Sequence, residues 1–222
     1  MTTAGREAAR RPADLEQLAR SICGARNQLE PEQQRIALGV YRLLAEGEPL
    51  EPATAASRLG VGAADVKRAL NGWPAAIRDE QGRVVGYGGL GLRETAHRFE
   101  VDTRPLYGWC AWDTLFLPEL LGVSAQVSST CPASGAPIAL HVSPAGVNSA
   151  APASAVVLMI VPAEPFGDDI IDSFCCHVRF FSSAQAAAPL LAEQRGVFTL
   201  TLSEAFELGR LANHMVFRDA LD

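Results

Sequence analysis

Several features are scarce in this 222-residue chain, and each scarcity narrows what it can be. The longest apolar run, Ala155 to Pro162, is far too short to cross a bilayer. The opening MTTAGREAARRP has no apolar core of the kind a secretory leader carries. No internal repeat and no low-complexity tract is present, which sets aside solenoids and arrays. Basic residues are not in excess. The net charge is −6, and residues 106–222 alone carry −7, with four Lys/Arg against eleven Asp/Glu. A bulk polyanion-binding surface is therefore not expected. Paired C-x-x-C knuckles are also missing, which argues against a zinc ribbon or finger.

What is present is an ordinary globular composition, 48% hydrophobic and 20% charged, able to bury a sizeable core. There are five cysteines: Cys23, Cys110, Cys131, Cys175 and Cys176. The number is odd and two are adjacent, a poor basis for a disulfide framework. Together with the absence of a leader this predicts a cytoplasmic protein with reduced thiols. Such thiols are structural, catalytic or metal-binding.

The first thirty residues read as a tail and a short helix, LEQLARSIC, capped by Asp14. Residues 31–104 read as a winged-helix-like unit. A helix opens at Pro31, with Ile36, Val40, Leu43 and Leu44 as its apolar stripe. Pro52 to Trp73 has the outline of a helix-turn-helix about Gly60. A hairpin turns at Asp79-Glu80-Gln81-Gly82, and a strand follows near His97 to Val101. Lys67, Arg68, Arg78 and Arg83 have Asp65, Asp79 and Glu80 beside them, so the segment is neutral. That is a weak footprint for phosphate contacts and favours a packing module over a DNA-binding one.

Asp102 to Pro105 reads as a hinge, and residues 105–222 as an α+β domain with largely antiparallel strands. Its strands are expected at 123–129, 138–142, 155–161 and 197–202, with PAGVNSAAPA as a loop. Helices are expected at 183–194 and after a Ser203 cap.

Two stretches carry chemistry. LYGWCAWDTLFLPELL, residues 106–121, is almost wholly apolar yet holds Cys110 and Asp113. Read as a helix, it puts these two on one face. Burial among Trp109, Trp112, Leu115 and Phe116 is expected to raise the Asp113 pKa, making it a candidate general acid or base. On spacing alone, a hydrogen-bonded buried Asp beside a core Cys remains open. The second stretch is SFCCHVRFF. As a strand it directs Phe174, Cys176, Val178 and Phe180 to one side and Cys175, His177, Arg179 and Phe181 to the other. This makes Cys176 a core cysteine and turns Cys175 towards a site; read as helix, the separation fails. His177 could orient a group or lower a thiol pKa, or be a satisfied histidine.

WCAWD and SFCCHVRFF, some sixty residues apart, resemble the organomercurial (alkylmercury) lyase family. GYGGLGLRETAHRFEVD, VSSTCPASGAPIALHVSP and SEAFELGRLANH are similar to that family in the same order, so the likeness covers roughly residues 31 to 215. It implies a helical winged-helix-like N-terminal domain joined to a mixed α/β core. It also implies cleavage of the carbon–mercury bond by protonolysis, with Cys110 and Cys175 as mercury-binding thiols and Asp113 carrying the proton. All three would contact the Hg2+ product. No cofactor is implied, and the expected acceptors of Hg2+ are small thiols and a mercuric reductase. Trp112, where an aliphatic residue is common, Thr130 before Cys131, and a longer N-terminal tail depart from the pattern. Two other readings are a soft-metal-responsive winged-helix regulator and a structural zinc site of Cys110, Asp113, Cys175 and His177.

Overall fold

The computed structural model describes residues 14–26, 28–72, 76–162, 164–167, 169–194 and 196–221. The first dozen residues, read above as a tail, and Trp73 lie outside them. Helix α1 (Leu15–Gly24) begins where the Asp14 carboxylate accepts the Glu16 N–H at 2.9 Å. It buries Leu18, Ala19 and Ile22. Helix α2 (Pro31–Leu44) starts at a proline, with Gln33 accepting the Glu30 N–H. Its inner face buries Ile36, Val40, Tyr41 and Leu44. Helices α3 (Pro52–Leu59) and α4 (Ala63–Gly72) flank a turn in which Gly60 is left-handed, at φ 67°. Together with the hairpin β1 (Ala76–Arg78) and β2 (Val84–Tyr87) they complete the expected helix-turn-helix unit with its wing.

The chain continues as β3 (Leu90–Gly91), β4 (His97–Val101), β5 (Arg104–Gly108), α5 (Asp113–Leu121), β6 (Ala125–Thr130), β7 (Pro137–Ser143), β8 (Gly146–Ala151) and β9 (Val156–Ile160). A short helix α6 (Ile170–Ser173) leads to a 3-10 turn (Cys175–His177) and to β10 (Arg179–Phe181). Helix α7 (Ala184–Glu193), β11 (Val197–Thr201) and the long α8 (Leu202–Phe217) follow. An antiparallel eight-stranded sheet has the order β1-β2-β3-β5-β4-β6-β7-β8, and a second, three-stranded sheet has the order β10-β9-β11. The fold is thus a helical helix-turn-helix part followed by a mixed α/β part on antiparallel sheets, and the large sheet runs through both. Helix α8 packs against α1, α5 and strands of both sheets. Gly209 permits its close approach to α5, because a Cβ there would meet Phe116 Cβ at 2.6 Å.

Five sequence expectations need correction. The hinge at Asp102 to Pro105 is the tight turn of the β4–β5 hairpin, with Asp102 and Thr103 both left-handed (φ 47° and 67°). PAGVNSAAPA contains strand β8, which pairs with β7 at the sheet edge; largely exposed, it shows no apolar alternation to read. The last helix is capped by Thr201 in a capping box with Glu204, so Ser203 lies inside it. In the two chemistry-bearing stretches, α5 begins only at Asp113, and SFCCHVRFF is a 3-10 turn before a strand of three residues.

The helical part also braces the rest. The Tyr41 hydroxyl on α2 donates to the Gly88 carbonyl at 2.8 Å, and its ring meets Tyr87 edge-on at 5.0 Å. Both groups of that hydrogen bond are inside the protein. Removing the hydroxyl strands the Gly88 carbonyl, at a cost of about 1–3 kcal/mol. We expect Tyr41→Phe to lower the unfolding free energy by that amount, seen as a lower urea midpoint with an unchanged slope. An unchanged midpoint would show that water replaces the hydroxyl.

Candidate active site

Strand β5 ends at Gly108, and the chain then turns through Trp109 to Trp112 before α5 starts. Two backbone bonds fix this turn. Trp109 N–H donates to the Gly89 carbonyl at 2.9 Å, and Ala111 N–H to the Val178 carbonyl at 3.2 Å. The first ties the turn to the glycine pair after β2, the second to the residue that follows the Cys175 turn. Gly108 fits because a Cβ there would press Thr114 Cγ2 at 2.7 Å.

Asp113, the first residue of α5, folds its carboxylate back onto the turn and accepts the Cys110 N–H at 2.6 Å. The pair is close because of this loop-and-helix-start geometry. The one-face-of-a-helix geometry expected from spacing does not apply. Gly89 (φ 102°) lies against the same carboxylate, and any Cβ there would collide with it.

Cys175 is brought in by its 3-10 turn. The thiols of Cys110 and Cys175 and a carboxylate oxygen of Asp113 lie within 4.8 Å of one another, and all three residues are buried. The three residues singled out in the sequence are therefore brought together. His177 is outside the cluster, so the four-ligand zinc set is not assembled by the described residues. Cys176 is not the core cysteine that a strand would make it. It is half-buried, and its thiol donates to the Asp172 carbonyl at 2.9 Å. Cys175 points inward because of a helical turn, and strand alternation plays no part. Cys131 is buried at the start of the turn between β6 and β7, where it receives the Ser182 hydroxyl at 3.5 Å. Cys23 is half-buried against Ala212, and neither belongs to the cluster.

Burial dominates the electrostatics. It drives the Asp113 carboxyl up from its ordinary 3.8 to about 7, against hydrogen bonds from Cys110 and the backbone and the positive charge of Arg26. Burial also pushes the Cys110 thiol well up, reinforced by the Cys175 thiol and the Asp113 charge. The space beside these groups is a cavity of about 20 Å³, room for roughly one water, lined by Arg26, Gly88, Gly89, Trp109, Phe166 and Phe174 among others. Trp112 does not line it. Its indole N–H donates to the Ala205 carbonyl at 2.9 Å, and its ring backs Phe174 edge-on at 6.5 Å.

A family profile described as "Alkylmercury lyase" matches residues 90–213, and one described as "Helix-turn-helix domain of alkylmercury lyase" matches residues 15–88. The chain belongs to the alkylmercury lyase family. It is 42% identical over 182 residues to the alkylmercury lyase of Pseudomonas putida, covering 82% of this chain and 84% of that one. It is 43% identical over 171 residues to the alkylmercury lyase of Staphylococcus epidermidis, covering 77% and 78%. The crystal structure of the mercury-bound form of MerB2 superposes with a TM-score of 0.72 at 20% identity, over 92% of this chain and all of that one, a likeness of fold. The family assignment and the enzyme class read from the motifs both hold.

Residues missed by motif reading are Tyr41, Gly88, Gly89, Phe166 and Arg26. Gly88 and Gly89 were legible only as part of a glycine-rich run; the others carry no local signal, being brought in by tertiary packing.

The raised Asp113 pKa has a signed consequence. Between its ordinary 3.8 and about 7 the folded protein holds a proton that the unfolded chain has lost. Stability therefore falls as pH rises through that window, by up to about 4 kcal/mol. Asp113→Asn removes this slope. Urea unfolding from pH 4 to pH 8 should show the variant gaining on the parent as pH rises, whereas parallel curves would show Asp113 to be an ordinary carboxylate.

Proposed function

We propose that this protein cleaves the carbon–mercury bond of alkyl- and arylmercury compounds by protonolysis, releasing the hydrocarbon and Hg2+. The observation that carries the proposal is the buried Cys110–Asp113–Cys175 cluster, with its ligand atoms within 4.8 Å. Mercury is soft, and thiolates are its preferred ligands. Burial keeps the Cys110 thiol protonated, so its proton must leave as the sulfur takes mercury. The Asp113 carboxylate, poised near neutrality in the same cluster, takes that proton. The Cys175 proton leaves with the substrate's displaced anion.

With both thiolates on mercury, electron density on the metal rises and the attached carbon becomes carbanion-like. Asp113, now neutral, returns its proton to that carbon. The carbon–mercury electron pair becomes the new C–H bond, and Hg2+ stays on the two sulfurs. One carboxyl thus serves as base and then acid. Phe166, Ile170, Phe174 and Trp109 offer the organic group an apolar wall and exclude water. A cavity of about 20 Å³ holds no aryl ring, so these side chains move aside as substrate enters.

The reaction needs no resident cofactor, since mercury is substrate and product. External thiols would remove Hg2+ by ligand exchange, with a mercuric reductase as a downstream acceptor. No helix among the described residues is long and apolar enough to cross a membrane.

Phenylmercury and excess thiol in heavy water should yield singly deuterated benzene, detected by mass spectrometry. We expect Cys110→Ala and Cys175→Ala to release none. Cys176→Ser should keep most activity, because its thiol faces Asp172. Asp113→Ala should bind mercury and release no hydrocarbon. Wild-type turnover in Asp113→Ala would remove that residue from the mechanism.

A further inference from the structure

The proposed chemistry dictates the charge of the loaded site. An organomercury cation on two thiolates is an anion of charge −1, and neutral Asp113 adds nothing to it. Once the carbon–mercury bond has broken, Hg2+ on two thiolates is neutral, and Asp113 is left as a carboxylate. One negative charge therefore persists in the buried cluster from substrate binding to product. An uncompensated charge in such surroundings is strongly unfavourable.

Arg26 is the one cation among the described residues that line the cavity; the others besides Asp113 and Cys175 are glycines, aromatics and Ile170. It sits just beyond α1, where its N–H donates to the Cys23 carbonyl at 3.1 Å. The neighbouring Ala25 carbonyl accepts the Phe166 N–H at 2.7 Å. The Arg26 segment is thus pinned to the apolar wall that covers the cluster. Its positive charge reaches inward, opposing the rise in the Asp113 pKa. The short N-terminal helix, buried along α8 through Leu18 and Ile22, holds that segment in place.

Resting on the lyase reading, we propose that Arg26 is the counter-charge of the mercury–dithiolate anion. It exchanges no proton and forms no bond to mercury; it holds the persistent −1 in place while the proton moves. It is a positioning residue, and its requirement is for charge more than for shape.

The test compares Arg26→Gln and Arg26→Lys with the parent, all checked for folding by thermal melting. One readout is phenylmercury affinity in competition with dithiothreitol, read before turnover, since only the organomercury–dithiolate complex is an anion; the other is benzene release from phenylmercury. Arg26→Gln should lose about tenfold or more in both, and Arg26→Lys should recover most of each loss. If Arg26→Gln does not fold, Arg26→Met supplies the uncharged side chain. Parental phenylmercury affinity in the uncharged variant, or a Lys variant as impaired as the uncharged one, would overturn the assignment. If phenylmercury affinity depends on the charge at position 26 but the parent releases no benzene, the counter-charge stands and the lyase reading falls.

Discussion

A carboxyl held in an apolar interior is the constraint on which the rest of this structure depends. Asp113 is about 5% exposed, at the start of a helix that is hydrophobic nearly all round. Such a group survives burial only if its charged form is disfavoured or its oxygens are partnered. Both occur here. Its pKa is raised to about 7, and the Cys110 N–H occupies one oxygen. Gly89 leaves room for the carboxyl, and the Trp109 bond to Gly89 holds the two loops at that spacing.

The two parts of the chain meet at this site. The winged-helix outline suggests a nucleic-acid reader, yet its second helix pairs Arg68 with Asp65, and its wing pairs Arg83 with Asp79. Helix α2 instead turns Tyr41 inward to hold Gly88, and the segment after α1 delivers Arg26 to the cavity. The N-terminal part thereby supports the floor and contributes to the wall of the cluster. This is a structural use for a fold outline that by itself says nothing of function.

Much of this was legible in the sequence, for identifiable reasons. Helices α1 to α4 carry caps, prolines and apolar stripes that act locally, and the β1–β2 hairpin has its Asp-Glu-Gln-Gly turn. The cluster was legible because its residues lie in short motifs with a specific likeness. Their geometry was not. The stretches around Cys110 and Cys175 gave no sign of where helix or strand begins, since their burial is set by tertiary contacts and follows no helix or strand period. Strand alternation assigned Cys175 to the site, and the true cause is a 3-10 turn that leaves Cys176 half-exposed. Strand β8, made of Gly, Val, Asn, Ser and Ala at a sheet edge, is held by pairing to β7 and carries no periodic signal. Arg26 lies far from both motifs along the chain, and only packing of α1 against α8 places it.

The central claim is that Asp113 is a buried carboxyl that gains and loses its proton near neutrality. Infrared difference spectroscopy of the resting protein against Asp113→Asn measures this directly. A protonated-carboxyl C=O band, present in the parent, missing in the variant and disappearing as pH is raised through about 7, is the predicted result. A band that titrates in the ordinary carboxylate range near 3.8, or no band assignable to Asp113, would contradict it.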